Sequence, residues 1–255
     1  MTFYEFGKEN EKSILLIHPS LVMFDYFEYL IPLLEKDFHL IIPALPGYDE
    51  KEAGSFTSVE EIADEIEEWL KMHSCSSIGL AYGCSMGGSI VIRMLSKNTL
   101  SIENAVIDGG ITPYQLPKIL TYLIGVRDFL MVVLGKWGGK KLLMQALEAE
   151  YSKEDIAYIA KVLDFMSLQT IWNTFYSCNN YKMPARIPAL KTHIEYWYAK
   201  KEEKARRADI AYMKKKFETV RFVRMHDTGH AGMAVSRPHK TAQMLARLIK
   251  KDPET

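Results

Sequence analysis

The chain has 255 residues, enough to bury a sizeable interior either as one large domain or as a core with an insertion. Lys plus Arg and Asp plus Glu are equal at 32 each, which argues against a field strong enough to draw the protein onto nucleic acid or an anionic membrane. The three cysteines, Cys75, Cys84 and Cys178, are odd in number and lack paired metal-ligand spacing, so a reducing compartment is expected rather than a disulfide framework.

The chain opens on Met1-Thr2-Phe3-Tyr4-Glu5-Phe6, which has neither the basic nor the apolar region of a secretion signal, and no apolar run reaches spanning length. A cytoplasmic protein is expected. Phe3 to Phe6 reads as a short edge strand. Ser13 to His18 is a continuous apolar run ended by Pro19 and Ser20, the pattern of a central parallel strand covered on both faces. Tyr26 to Glu35 reads as helix, and Phe38 to Leu45 as a second apolar strand closed by Pro46-Gly47. Thr57-Ser58-Val59-Glu60-Glu61 has capping-box form, with Thr57 or Ser58 as cap, and opens an amphipathic helix to Met72. Its buried face comprises Ile62, Ile66, Trp69 and Leu70.

Ile78 to Tyr82 is strand-like and Ser89 to Leu95 helix-like. Between them lies Gly83-Cys84-Ser85-Met86-Gly87-Gly88. A serine on a tight strand-to-helix turn requires nearly absent side chains two positions before and after it, and Gly83 and Gly87 meet that demand. Such a turn lifts the hydroxyl above the sheet at a helix N-terminus, where free amides favour developing negative charge. Ser85 is therefore the candidate nucleophile, and Cys84 beside it reads as a small buried residue. Asn104 to Asp108 is another strand, so strands alternate with helices as in a parallel α/β sheet.

Between Ile111 and Pro188 the rhythm changes. Pro117–Val133, Lys140–Glu150, Lys153–Leu163 and Leu168–Tyr176 read as helices, with Gly135 to Lys140 as a turn between two of them. This predicts a helical insertion over residues 112–187 and a core formed by residues 1–111 and 188–255. Tyr122, Phe129, Met131, Trp137, Phe165, Met166, Trp172 and Phe175 enrich the insertion; most are expected to pack helices and a minority to line a ligand cavity. The core resumes with strands over Lys191–Ala199 and Val220–Met225 and helices over Lys204–Phe217 and Pro238–Lys250. The basic runs Lys204 to Arg207 and Lys214 to Lys216 read as solvated helix faces.

Four segments in this order, Ile17-His18-Pro19-Ser20, Pro43-Ala44-Leu45-Pro46-Gly47-Tyr48, the Ser85 turn and Asp227-Thr228-Gly229-His230, resemble the α/β-hydrolase family over nearly the whole core. The resemblance implies the α/β-hydrolase fold, with a mostly parallel sheet flanked by helices and a helical lid where the insertion lies. It also implies a Ser-His-acid triad. His230, after the last strand, occupies the general-base position, where an imidazole can take and return a proton. The acid is expected at Glu202, aligned with the turn after the preceding strand, with Asp108 and Glu203 as alternatives. The oxyanion hole is expected from the backbone amides of Met86 and Ser20. The resemblance also implies a structural role for His18 in that loop, where Pro19 replaces the usual glycine.

These residues point to a carboxylesterase for small or medium acyl esters, with apolar acyl groups favoured over charged ones, and requiring no cofactor or metal. A non-catalytic ligand-binding member of the fold and a carbon-carbon hydrolase or acyltransferase with the same triad remain alternatives. The expected partner is a small-molecule acyl substrate, and the oligomeric state stays open.

Overall fold

The computed structural model describes residues 1–51, 54–147, 152–226 and 228–250. Asp227 of the last motif and residues 148–150, the end of one expected helix, lie outside them. Seven strands form one sheet: β1 (Thr2–Phe6), β2 (Ser13–Ile17), β3 (His39–Ala44), β4 (Ser77–Cys84), β5 (Ser101–Asp108), β6 (His193–Ala199) and β7 (Val220–Met225). Their spatial order is β1-β3-β2-β4-β5-β6-β7, with β1 antiparallel to β3 and every other pairing parallel.

The helices are α1 (Ile31–Leu34), α2 (Val59–Met72), α3 (Met86–Lys97), α4 (Lys118–Leu147), α5 (Lys153–Phe165), α6 (Leu168–Asn180), α7 (Arg207–Lys216), α8 (Met233–Ser236) and α9 (Pro238–Lys250). Strand side chains alternate faces, and the apolar runs divide accordingly. Leu15, Ile17, Ile41, Ala81 and Ile107 join one core with α2, α3 and α5 to α7. Ile14, Leu16, Leu40, Leu80 and Val106 join another with α1, α8 and α9. An all-apolar strand is thus required because both faces are covered, each fully buried aliphatic side chain contributing about 1.5–3 kcal/mol.

Ser58, rather than Thr57, caps α2 by accepting from the Glu61 amide at 3.1 Å. Trp69 is only partly buried and stacks on Phe3, with ring centroids 4.0 Å apart. The helix expected over Tyr26–Glu35 is instead a 3₁₀ turn, Phe24–Phe27, followed by the single turn of α1. Pro32 explains the break, since it has no amide with which to continue a helix but is favoured in a first turn.

The expected turn at Gly135 to Lys140 is likewise corrected: α4 runs without interruption through it. Two adjacent glycines weaken a helix locally, but α4 packs along α5 and α6, and Lys136 Nζ donates to the Leu163 and Asp164 carbonyls at the end of α5, the latter at 2.9 Å. Tertiary contact thus outweighs local propensity. Phe129 and Tyr176 pack around Trp172, whereas Trp137 is exposed. Among the described residues no helix is long and apolar enough to cross a membrane.

Candidate active site

Strand β4 ends at Cys84 and α3 begins at Met86, so Ser85 alone makes the turn. Its backbone sits at φ 49°, ψ −109°, a combination unfavourable for a residue with a Cβ. Two backbone bonds hold it there: Ser85 N–H donates to the Asp108 carbonyl at 2.8 Å, and the Ser85 carbonyl accepts from Ser89 N–H at 3.1 Å. The two glycines singled out from the sequence permit the approach. A Cβ on Gly83 would lie 2.3 Å from the Gly87 carbonyl oxygen, and one on Gly87 would lie 2.1 Å from that of Ile17.

His230 follows β7 on a loop secured by the Tyr26 hydroxyl, which donates to the Ala231 carbonyl. Its Nε2 lies 2.9 Å from Ser85 Oγ. On the other side of the ring, Nδ1 lies 2.8 Å from Glu202 Oε1, at ion-pair distance but with the N–H direction off the line to the oxygen. Glu202 ends a 3₁₀ turn, Lys200–Glu202, directly after β6. Burial opposes its ionisation, but His230, the Arg206 guanidinium and the Ala199 backbone outweigh burial and hold the carboxyl below its ordinary range.

The other two candidate acids have other hydrogen-bond or ion-pair partners, although Asp108 is near enough to His230 to interact with it through charge. Asp108, at the end of β5, accepts from the Tyr82 hydroxyl at 3.0 Å, and burial pushes its pKa up to about 7 despite that bond. Glu203 is exposed and faces Arg224 at 3.3 Å. Of the three carboxylates, the structure brings Glu202 to His230.

Ser85, Met86 and Ser20 line a common cavity of about 290 Å³. The nucleophile candidate and the residues carrying both expected oxyanion donors therefore face the same space. His18 is fully buried beside them; burial lowers its pKa to about 4, and Nδ1 lies 2.8 Å from the Pro19 carbonyl. The neutral ring with its proton on Nδ1 would donate to that carbonyl and brace the loop. Leu21, directly after Ser20, carries φ 65°.

Met131 and Phe175 from the helices between β5 and β6 join the wall, together with Ile111 and Val132. The wall is not uniformly apolar. Tyr114, Arg127, Asp128, Asn179 and Arg206 also reach it, none of which sequence reasoning singled out. Arg206 stood in a run read as a solvated helix face; Lys204 and Arg207 are exposed as expected, but Arg206 turns inward. Local charge pattern carried no signal of that turn. The Cys84 thiol is buried, which raises its pKa well above the ordinary value. Among the described residues no cluster of three or more His, Cys, Asp or Glu could hold a metal.

A model of the alpha/beta hydrolase family matches residues 14–244. The chain belongs to the alpha/beta hydrolase family. This alpha/beta hydrolase is 29% identical over 102 residues to an uncharacterized hydrolase, YNR064C, of Saccharomyces cerevisiae, the alignment spanning 38% of this chain and 35% of the relative. An alpha/beta hydrolase family protein from Desulfitobacterium hafniense superposes with a TM-score of 0.76 at 17% identity, covering 98% of this chain and 100% of that one. MenH from S. aureus gives 0.74 at 18% identity, with 98% and 97% covered. An esterase from Thermogutta terrifontis gives 0.73 at 16% identity, with 98% and 92% covered. At such identities the solved structures show the shared fold alone.

Proposed function

We propose that this chain is a serine hydrolase that cleaves carboxylic esters of small to medium acyl groups through an acyl-enzyme intermediate. The observation that supports the reading is the relay from Ser85 Oγ to His230 Nε2 at 2.9 Å and from His230 Nδ1 to Glu202 Oε1 at 2.8 Å. Ser85 Oγ attacks the ester carbonyl while His230 Nε2 takes its proton, and Glu202 stabilises the resulting imidazolium. The carbonyl oxygen becomes an oxyanion that the Met86 and Ser20 amides receive. Each such donor is worth about 3–4 kcal/mol at the transition state.

The tetrahedral intermediate collapses as His230 returns the proton to the leaving alcohol. Water, deprotonated by the same imidazole, then releases the acid and restores Ser85. Helices α4 to α6, within residues 112–187, act as the lid, and Met131 and Phe175 receive the acyl chain. A purely ligand-binding role would not call for a carboxylate behind His230. The test is turnover of p-nitrophenyl butyrate. Ser85→Ala is expected to lose about 10³-fold or more in kcat while remaining folded; undiminished turnover in the folded variant overturns the proposal.

A further inference from the structure

The charges on the cavity wall are not balanced alike. Arg127 and Asp128 satisfy each other, with Nε and Nη2 donating to Oδ1 at 2.9 and 2.7 Å. Arg206 is less completely paired, with Asp209 at ion-pair distance and the Tyr196 hydroxyl oxygen beside its guanidinium. Its Nη1 approaches Asp209 Oδ2 at 3.2 Å without aligning on it, and both Nε and Nη1 are buried with no hydrogen-bond acceptor among the described residues.

The carboxylates near Arg206 also serve other groups. Asp209 Oδ1 accepts from both the amide and the hydroxyl of Thr112 at 2.8 Å each, and Glu202 Oε1 faces His230. Burial alone would lower the pKa of the guanidinium, but Asp209, Tyr196 and Glu202 overcompensate, so the group stays fully cationic. The arginine is also held in place: its amide donates to the Glu202 carbonyl and its carbonyl accepts from Ile210 N–H, each at 2.9 Å. A largely buried, fixed cation whose Asp209 pairing leaves Nε and Nη1 without an aligned acceptor, lining the same cavity as Ser85, is suited to a planar anion.

We propose that Arg206 receives a carboxylate carried by the substrate, so that this site takes anionic acyl compounds, such as half-esters of dicarboxylic acids, in preference to neutral esters. The inference rests on the hydrolytic reading of the same cavity and reverses the expectation that apolar acyl groups are favoured. Ile111 and Phe175 would contact the carbon chain between the reacting carbonyl and the distal carboxylate.

The test compares mono-p-nitrophenyl glutarate with p-nitrophenyl valerate, which match in chain length and differ in the terminal charge. The wild type is expected to show the higher kcat/KM on the glutarate half-ester. Arg206→Gln should reduce the glutarate-to-valerate ratio by about tenfold or more, mainly through KM, and Arg206→Lys should restore part of it. A binding measurement independent of turnover accompanies it: calorimetric titration of Ser85→Ala with glutarate, repeated in the Ser85→Ala, Arg206→Gln double variant. Loss of glutarate binding in the double variant supports the proposal. A wild-type preference for valerate, an equal fall on both esters in Arg206→Gln, or glutarate binding absent from Ser85→Ala or undiminished in the double variant overturns it. Should Ser85→Ala retain full turnover, the hydrolytic reading fails while the titration still decides the role of Arg206.

Discussion

Replacing Asp108 by Asn tests the electrostatics beneath the Ser85 turn. The carboxyl is 3% exposed, and burial raises its pKa from an ordinary 3.8 to about 7, with the Tyr82 hydroxyl only partly compensating. Below pH 4 it is protonated in both folded and unfolded chains and costs nothing. Between pH 4 and 7 the folded state holds a proton that the unfolded chain has released, so this group makes stability fall as pH rises. Above the folded pKa the loss is complete. At about 1.4 kcal/mol for each tenfold change in acidity, it comes to about 4 kcal/mol.

Asparagine keeps an acceptor for Tyr82 and cannot ionise. The variant should therefore gain on the wild type as pH rises from 4 to 8, by an amount approaching that figure. Urea denaturation of both proteins across this range measures the difference; titrating groups uncoupled from Asp108 cancel to first order, while His230 and Glu202, which interact with it through charge, add a smaller term. A stability difference that stays flat with pH would show that Asp108 is ionised in the fold at ordinary cost, and would refute the reasoning.

Glu202→Gln should lower kcat on p-nitrophenyl butyrate by about 10³- to 10⁴-fold, because an amide can hold the wrong imidazole tautomer and cannot stabilise the cation; Asp108→Asn should cost far less in the same assay. Gly87→Ala, whose new methyl would lie 2.1 Å from the Ile17 carbonyl oxygen, should lose about 3 kcal/mol or more in a denaturant titration. Lys136→Met removes the donor from the Leu163 and Asp164 carbonyls, and calorimetry should show about 1 kcal/mol of destabilisation, or a fall of about 2–4 °C in Tm.

The sheet was legible because burial on two faces leaves a mark that periodicity can read: in β2, Ile14, Leu15, Leu16 and Ile17 are consecutive apolar residues and all are buried. Ser85 was legible through Gly83 and Gly87, whose absent side chains are a steric necessity of the turn. His230 could be named from its place after the last strand together with the Asp227-Thr228-Gly229-His230 segment, whereas Glu202 could be named only through its order relative to the strands, and Lys200-Lys201-Glu202-Glu203 reads equally as a solvated turn. The α4 helix was misjudged at Gly135 to Lys140 because its support comes from α5 and α6 rather than from its own residues. Arg206 escaped for a related reason. Whether a cation in a basic run faces water or a cavity depends on the direction of the chain after β6, which residue composition does not encode.

The claim on which the account depends is that Ser85 is activated by His230, 2.9 Å away. Its most direct test is peptide mass mapping after reaction with a fluorophosphonate. The account predicts one adduct per chain, located on Ser85 and strongly diminished in a folded His230→Ala variant; an unmodified Ser85, or labelling equally fast without the imidazole, would contradict it.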